Sequence, residues 1–297
     1  MIAIMNRTEP ATLPPPRVLF SIDYEPWFAL TRHHDHILPA LRRELDNGSS
    51  EALLDPILEM LGAAKISFYM VGEVVEWYPG IPEKIINAGH ELGFHCHVHR
   101  PLVTIDDIAN DLRTSAGWRK EYSVRGYRAP MVRTIQAAYP LLAEAGFTYS
   151  SSIYAPSGNL IKKSGIWELP VSTARFSGSN KRPIEAPRHF SWNLLLKGEL
   201  PYGSSFMIGL LPKNILHIIE KELRAGLSPV IILHPYELVR PPNWPRKIYR
   251  DLVAQPLLWP FTFEKAAFLK QLVREFPLSS LGTYIDEVNQ LHRNGNA

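Results

Sequence analysis

The stretch Val18-Leu19-Phe20-Ser21-Ile22-Asp23-Tyr24-Glu25-Pro26-Trp27 decides the fold class, because a short apolar run ends directly in a carboxylate. Val18 to Ile22 read as a buried strand. Pro14-Pro15-Pro16, just upstream, cannot continue regular structure. Residues just past the carboxyl ends of strands form the active site of parallel α/β folds, which makes Asp23 a candidate. Outward from this strand the chain alternates. Leu53 to Ala64 has helical period, and Ile66 to Val71 is a second strand closed by Gly72. Pro82 to Ala88 is a short helix ended by Gly89, and Leu92-Gly93-Phe94 starts a third strand. A helix over Ile105–Ala116, a strand over Tyr122–Tyr127, a helix over Thr134–Ala145 and a strand at Phe147-Thr148-Tyr149 continue the pattern. Trp167–Val171 and Pro229–Leu233 are further strands, with helices over Asn214–Ala225 and Glu264–Glu275. Strand–helix alternation of this length implies an α/β fold, most economically a (β/α) barrel with parallel strands, or an open doubly wound sheet.

The chain has 297 residues, 45% hydrophobic and 21% charged, enough apolar material for one full core. Residues 1–16 are expected to be a flexible tail, 17–288 a single domain and 289–297 a C-terminal tail. The single cysteine, Cys96, excludes an internal disulfide framework and a Cys-rich zinc site. A formal net charge of +3 gives no argument for nucleic acid as a partner. No apolar stretch is long enough for a membrane span, and the first residues lack the apolar core of a signal peptide. On these grounds the expected location is cytoplasmic. The dinucleotide-binding glycine fingerprint, the P-loop and the Gly-x-Ser-x-Gly elbow are all absent.

The strongest chemical signal is Gly89-His90-Glu91-Leu92-Gly93-Phe94-His95-Cys96-His97-Val98-His99. His95 and His99 lie four apart, a spacing that puts both on one face of a helix or a strand. Two imidazoles and a carboxylate can hold a zinc-like ion with one position left open. Asp23 and Glu25 can supply the carboxylate and divide two roles, ligand and base. Taken singly, Asp23 also reads as a turn or cap residue. His234 ends the apolar strand Val230-Ile231-Ile232-Leu233 and precedes Pro235, again at a strand's carboxyl end; alone it also reads as a buried histidine bonded to a carbonyl. Arg128, in Gly126-Tyr127-Arg128-Ala129-Pro130, follows the fourth strand, where a surface ion pair is the alternative. Tyr24, Trp27, Tyr236 and Trp244 cluster around the same turns, and their faces suit the C–H faces of sugar rings; singly each also reads as core or rim.

In this order, from about residue 18 to about residue 285, these motifs resemble the polysaccharide deacetylase family with the NodB homology domain, carbohydrate esterase family 4-like. The matching pieces are Asp23-Tyr24-Glu25, His95 and His99 after Gly89-His90-Glu91, Arg128-Ala129-Pro130, and Leu233-His234. Smaller matches are Ser67-Phe68-Tyr69 with Gly72, Ser150-Ser151-Ser152, Glu168-Leu169-Pro170 and His234-Pro235-Tyr236-Glu237-Leu238. The last two resemble the subgroup tied to bacterial surface-glycan and exopolysaccharide synthesis. The resemblance implies a distorted barrel of about seven parallel strands, a divalent metal, usually zinc, and removal of an N-acetyl group from an amino sugar. It implies His95, His99 and Glu25 as metal ligands, Asp23 as base, Arg128 as the group that holds Asp23, and His234 as general acid. Glu25 stands where the family more often has Asp, so either its longer side chain reaches the metal or Asp23 takes that place. The family's motif that supplies an Asp to orient the acid histidine has no match. Relatives on this scaffold also hydrolyse formamides and cyclic ureides, and a non-catalytic carbohydrate-binding relative is the third alternative. The expected partner is a carbohydrate, with the basic stretch Arg175–Arg188, Arg240 and Arg246 available for the phosphate of a nucleotide or lipid carrier.

Overall fold

The computed structural model describes residues 13–30, 37–175, 188–196, 198–242 and 244–295. Its centre is a curled sheet of nine strands. Seven run parallel side by side, in the order β11 (Val230–Leu233), β1 (Val18–Tyr24), β2 (Ser67–Val71), β3 (Glu91–Cys96), β4 (Gly126–Tyr127), β5 (Tyr149–Ser150) and β8 (Ile166–Glu168). The short β7 (Ile161–Lys163) pairs antiparallel with β8, and β12 (Leu278–Ser279) pairs with β1. A second sheet holds β6 (Tyr154–Pro156), β9 (Val171–Arg175) and β10 (Glu199–Leu200). Gly203 bridges the two, donating to Ser172 O and accepting from Ile232 N, both at 2.9 Å, so β9 is tied to β11 and the sheet curls round on itself. The alternation predicts a (β/α) barrel, and the curled, mostly parallel sheet is the distorted form of it that the resemblance implies.

The strands bury both faces, as parallel strands under helices must. On β1, Val18, Phe20, Ile22 and Tyr24 point outward into the helix-covered core with Phe68, Met70, Phe94, Ile231 and Leu233. Helices Leu54–Leu61, Ile105–Thr114, Pro212–Arg224 and Ala266–Glu275 close that core, presenting apolar residues three and four apart, such as Ile215, Leu216 and Ile219. The alternate residues face the barrel interior, where Leu19 packs with Tyr69, Tyr149 and Ile232. The interior is full. A Cβ on Gly93 would lie 2.4 Å from the Tyr69 ring, and one on Gly126 would lie 2.2 Å from the Tyr149 hydroxyl. Only glycine at these two positions admits the two tyrosines.

Several boundaries differ from expectation for local reasons. The strand expected over Tyr122–Tyr127 pairs only at Gly126–Tyr127, because Tyr122 caps the helix Ala116–Glu121 and Ser123 takes a positive φ of 51°. The expected strand Trp167–Val171 is two, β8 and β9, separated by Leu169-Pro170, since proline has no N–H for a ladder. The helix expected from Thr134 starts at Ala138, with Pro140 in its first turn. The last helix spans Leu281–Gly295 and takes in most of the expected 289–297 tail. Trp167 anchors it, donating Nε1–H to Asn289 (2.8 Å) and stacking on His292. Most of the expected N-terminal tail and of the basic stretch between Arg175 and Arg188 lies outside the described residues. Its two ends, Arg175 and Arg188, both pair with the buried Glu199.

Candidate active site

Strand periodicity delivers the site residues. With Leu19 inward on β1, Ser21 and Asp23 are inward too; on β3 the same alternation turns Gly93 and His95 inward, and after β11 it turns Val230, Ile232 and His234 inward. Asp23, His95 and His234 thereby stand at the carboxyl ends of their strands, where Arg128 follows β4 and Ser151 follows β5.

Arg128 is the buried keystone. It is fully buried over the Tyr69 ring, its guanidinium carbon 4.4 Å from the centroid. Its Nη1 donates to Ser21 Oγ (2.7 Å) and Asp23 Oδ1 (2.9 Å), its Nη2 to Ser151 Oγ (2.7 Å), and its Nε to Ser151 O (2.9 Å). The guanidinium thus holds Asp23 by a buried ion pair and is itself braced by two serines. Ser152 continues the brace, accepting from Ala129 N and donating its own N–H to Glu168. Immediately beyond, Met131 and Val132 take φ of 56° and 53°, a strained turn for a β-branched residue.

Glu25, His95 and His99 converge. Their ligand atoms all lie within 4.8 Å of one another, and all three residues are buried. Glu25 Oε2 stands 2.8 Å from His99 Nε2 and 3.6 Å from His95 Nε2. That oxygen is buried and has no donor aligned on it, with the two imidazole nitrogens close beside it. His95 Nδ1 lies 2.8 Å from the carbonyl of Arg128, which can only accept, so Nδ1 carries the proton and Nε2 keeps its lone pair for a metal. Burial pushes the Glu25 carboxyl up, but His99 and His234 outweigh it and hold it well below the usual range. The donor set, its tautomer and its charge fit a divalent ion. His97 points elsewhere, to Glu76 and Ser115. Cys96, on the outward face, is buried, and burial raises its thiol pKa well above the ordinary value, which leaves it inert.

His234 Nε2 lies 3.8 Å from Glu25 Oε1. Its Nδ1 faces Glu237 Oε2 at 3.1 Å, and Glu237 also accepts from the His234 backbone N–H (2.8 Å), from Ser205 Oγ, and from Lys265 Nζ (2.8 Å). Glu237 is therefore the orienting carboxylate that no motif match revealed. The signal was present as His234-Pro235-Tyr236-Glu237, a capping box in which Glu237 reaches back to its own helix start. Burial pulls the His234 pKa down, but Glu237 and Glu25 raise it to about 9.

The four aromatics expected to bind substrate are placed differently. Tyr24 follows Asp23 on a strand and so faces outward; it is fully buried, and its hydroxyl donates to Ser50 O (2.6 Å). Trp27, Tyr236 and Trp244 are buried in a small cluster with Phe28 and Ile248 behind Glu25. Tyr236 donates its hydroxyl to Glu25 Oε1 (2.8 Å) and stacks between His234 and Trp244. None of the four offers an open ring face: Trp27, Tyr236 and Trp244 build a wall of the site and Tyr24 belongs to the outer core, so none is a sugar platform.

No family model matches the chain. Among curated proteins it is 25% identical over 186 residues to a peptidoglycan deacetylase-like protein of Gibberella zeae; the match covers 59% of this chain and 55% of that protein. The chain thus spans about half the length of that relative. Among solved structures, PuuE allantoinase aligns with 91% of this chain and 92% of its own at a TM-score of 0.54 and 12% identity. The peptidoglycan deacetylase PdaC from Bacillus subtilis aligns over 96% and 97% at a TM-score of 0.46 and 12% identity. The resemblance read from four short motifs thus has a counterpart in one curated relative by sequence, and the fold is shared with the allantoinase.

Proposed function

We propose that the chain is a metal-dependent hydrolase that removes an N-acetyl group from an amino sugar of a bacterial polysaccharide or its precursor. The observation that carries this reading is Glu25 Oε2, buried and without an aligned hydrogen bond between two imidazole nitrogens, beside a braced Asp23 and an oriented His234. Glu25, His95 and His99 would hold the ion, and two nitrogens with one oxygen suit zinc. When bound, such an ion acts as a Lewis acid toward an amide carbonyl and lowers the pKa of water. Asp23, gripped by Arg128, takes the proton of the attacking water. His234 Nε2, charged through Glu237 and Glu25, gives a proton to the departing amine. The buried walls exclude bulk water from these transfers. The similarity in sequence to a protein named peptidoglycan deacetylase-like supports an N-acetylated sugar as the substrate class.

The fold shared with an allantoinase keeps a second amidohydrolase reading in view. Acetate release from a panel of N-acetylated oligosaccharides, set beside formate release from formamides and ring opening of cyclic ureides, decides between them. Within the deacetylase reading the two carboxylates separate. Asp23→Asn retains metal and loses roughly 10²- to 10⁴-fold in turnover. Glu25→Gln loses metal affinity and is rescued by added metal. Metal analysis of both variants checks this, and loss of metal from Asp23→Asn alone would reverse the assignment.

A further inference from the structure

The segment from Arg240 to Phe263, which follows His234, has two faces of opposite character. Its inner face is part of the site: Trp244 stacks on Tyr236, and Phe261 lies edge-on to the His234 ring. Its outer face is apolar and open. On the helix Trp244–Ala254, Ile248 and Leu252 are buried while their next neighbours Tyr249 and Val253 are 62% and 65% exposed. Leu257 (54%) and Trp259 (45%) extend this exposed surface along the turns that follow. Charge accompanies it. The segment carries Arg240, Arg246, Lys247 and Arg250 against a single acid, Asp251, which leaves +3, equal to the formal net charge of the whole chain. Arg250 is exposed one position beyond Tyr249, and Arg240 is about half exposed near Glu264.

Among the described residues no helix is long and apolar enough to cross a membrane. A short helix with an inward apolar stripe, an adjoining exposed aromatic and aliphatic edge and the exposed Arg250 beside it, in a segment of basic net charge, has the build of an interfacial element. Tyrosine and tryptophan favour the headgroup level, and arginine favours anionic headgroups. We propose that this outer face docks on the surface of a phospholipid bilayer that carries anionic headgroups. Because the inner face of the same segment walls the site, docking would hold the mouth of the barrel at the bilayer, where a lipid-linked saccharide presents its sugar. The docking itself does not depend on the reaction the site performs.

The test is flotation of the full, metal-loaded chain with vesicles of phosphatidylcholine alone and with added phosphatidylglycerol. Binding is expected to the anionic vesicles, at least tenfold weaker to the neutral ones, and weakened by salt. Val253→Ser with Leu257→Ser should lower binding about tenfold or more. Arg250→Ser, a fully surface change, should lower it severalfold and flatten the salt dependence. Thermal unfolding and metal content, unchanged in each variant, show that the fold survives. Absence of binding to anionic vesicles overturns the proposal. Binding that survives both variants overturns it too, as does a wild-type dimer in light scattering that the apolar variant dissolves, which would make a second copy the occupant.

Discussion

Two walls meet at the candidate metal position, and each ends in a buried ion pair. On one, Arg128 grips Asp23, and every group involved sits on or just after a strand of the central sheet. On the other, Lys265 grips Glu237, which grips His234, and all of it hangs on the segment after β11. The strand-built wall has a planar cation with donors committed to Ser21, Asp23 and Ser151. The segment-built wall has a point cation, Lys265, that divides its protons among Glu237, Pro260 O and Phe263 O. The first wall is continuous with the core, so damage there should be felt as lost stability. The second touches the chemistry through one imidazole, so damage there should be felt as altered proton transfer.

Arg128→Met breaks the comparison most severely. It leaves the Asp23 charge and two serine hydroxyls buried without their partner, at a cost of about 3–5 kcal/mol. Denaturant titration checks this, and a loss below about 1 kcal/mol would show that the strand-built wall does not bear on the core. Glu237→Gln is the matching change on the other side. It leaves the buried Lys265 ammonium facing a neutral amide, so it too lowers the unfolding midpoint, by less than Arg128→Met because two carbonyls still accept from Lys265, and it costs roughly 10- to 100-fold in turnover. His234 donates only while protonated, so rate falls as pH rises through its pKa. Removing the Glu237 charge lowers that pKa from about 9, and the alkaline limb should move to lower pH. An unmoved limb would assign the limb to another group. Tyr236→Phe is the mildest. It deletes one hydrogen bond to Glu25, worth about 1 kcal/mol, and should weaken metal binding about fivefold with little change in turnover at saturating metal. Chelator competition measures it.

How much of this was legible beforehand follows from periodicity. Strand ends followed by Asp23, Arg128 and His234 were readable because period-two alternation and parallel topology need only local sequence. The same rule, applied one residue further, would have turned Tyr24 outward, since it neighbours an inward Asp23. The burial of Trp27, Tyr236 and Trp244 was not readable, because it depends on packing between chain segments more than 200 residues apart. Glu237 hid for a different reason. The resemblance implies an aspartate in that role, while the carboxylate facing His234 is a glutamate three residues away, in a helix of only four residues. Ser21 was visible as a lone hydroxyl within an apolar strand, but its partner Arg128 lies 107 positions away.

The two tyrosines seated over Gly93 and Gly126 have a consequence for traffic. With Tyr69 and Tyr149 filling the barrel beneath Arg128, a route below the site is closed at these two positions. In the reaction proposed above, a small acid formed beneath the sugar would then leave only after the saccharide half, and release of that larger half would pace turnover.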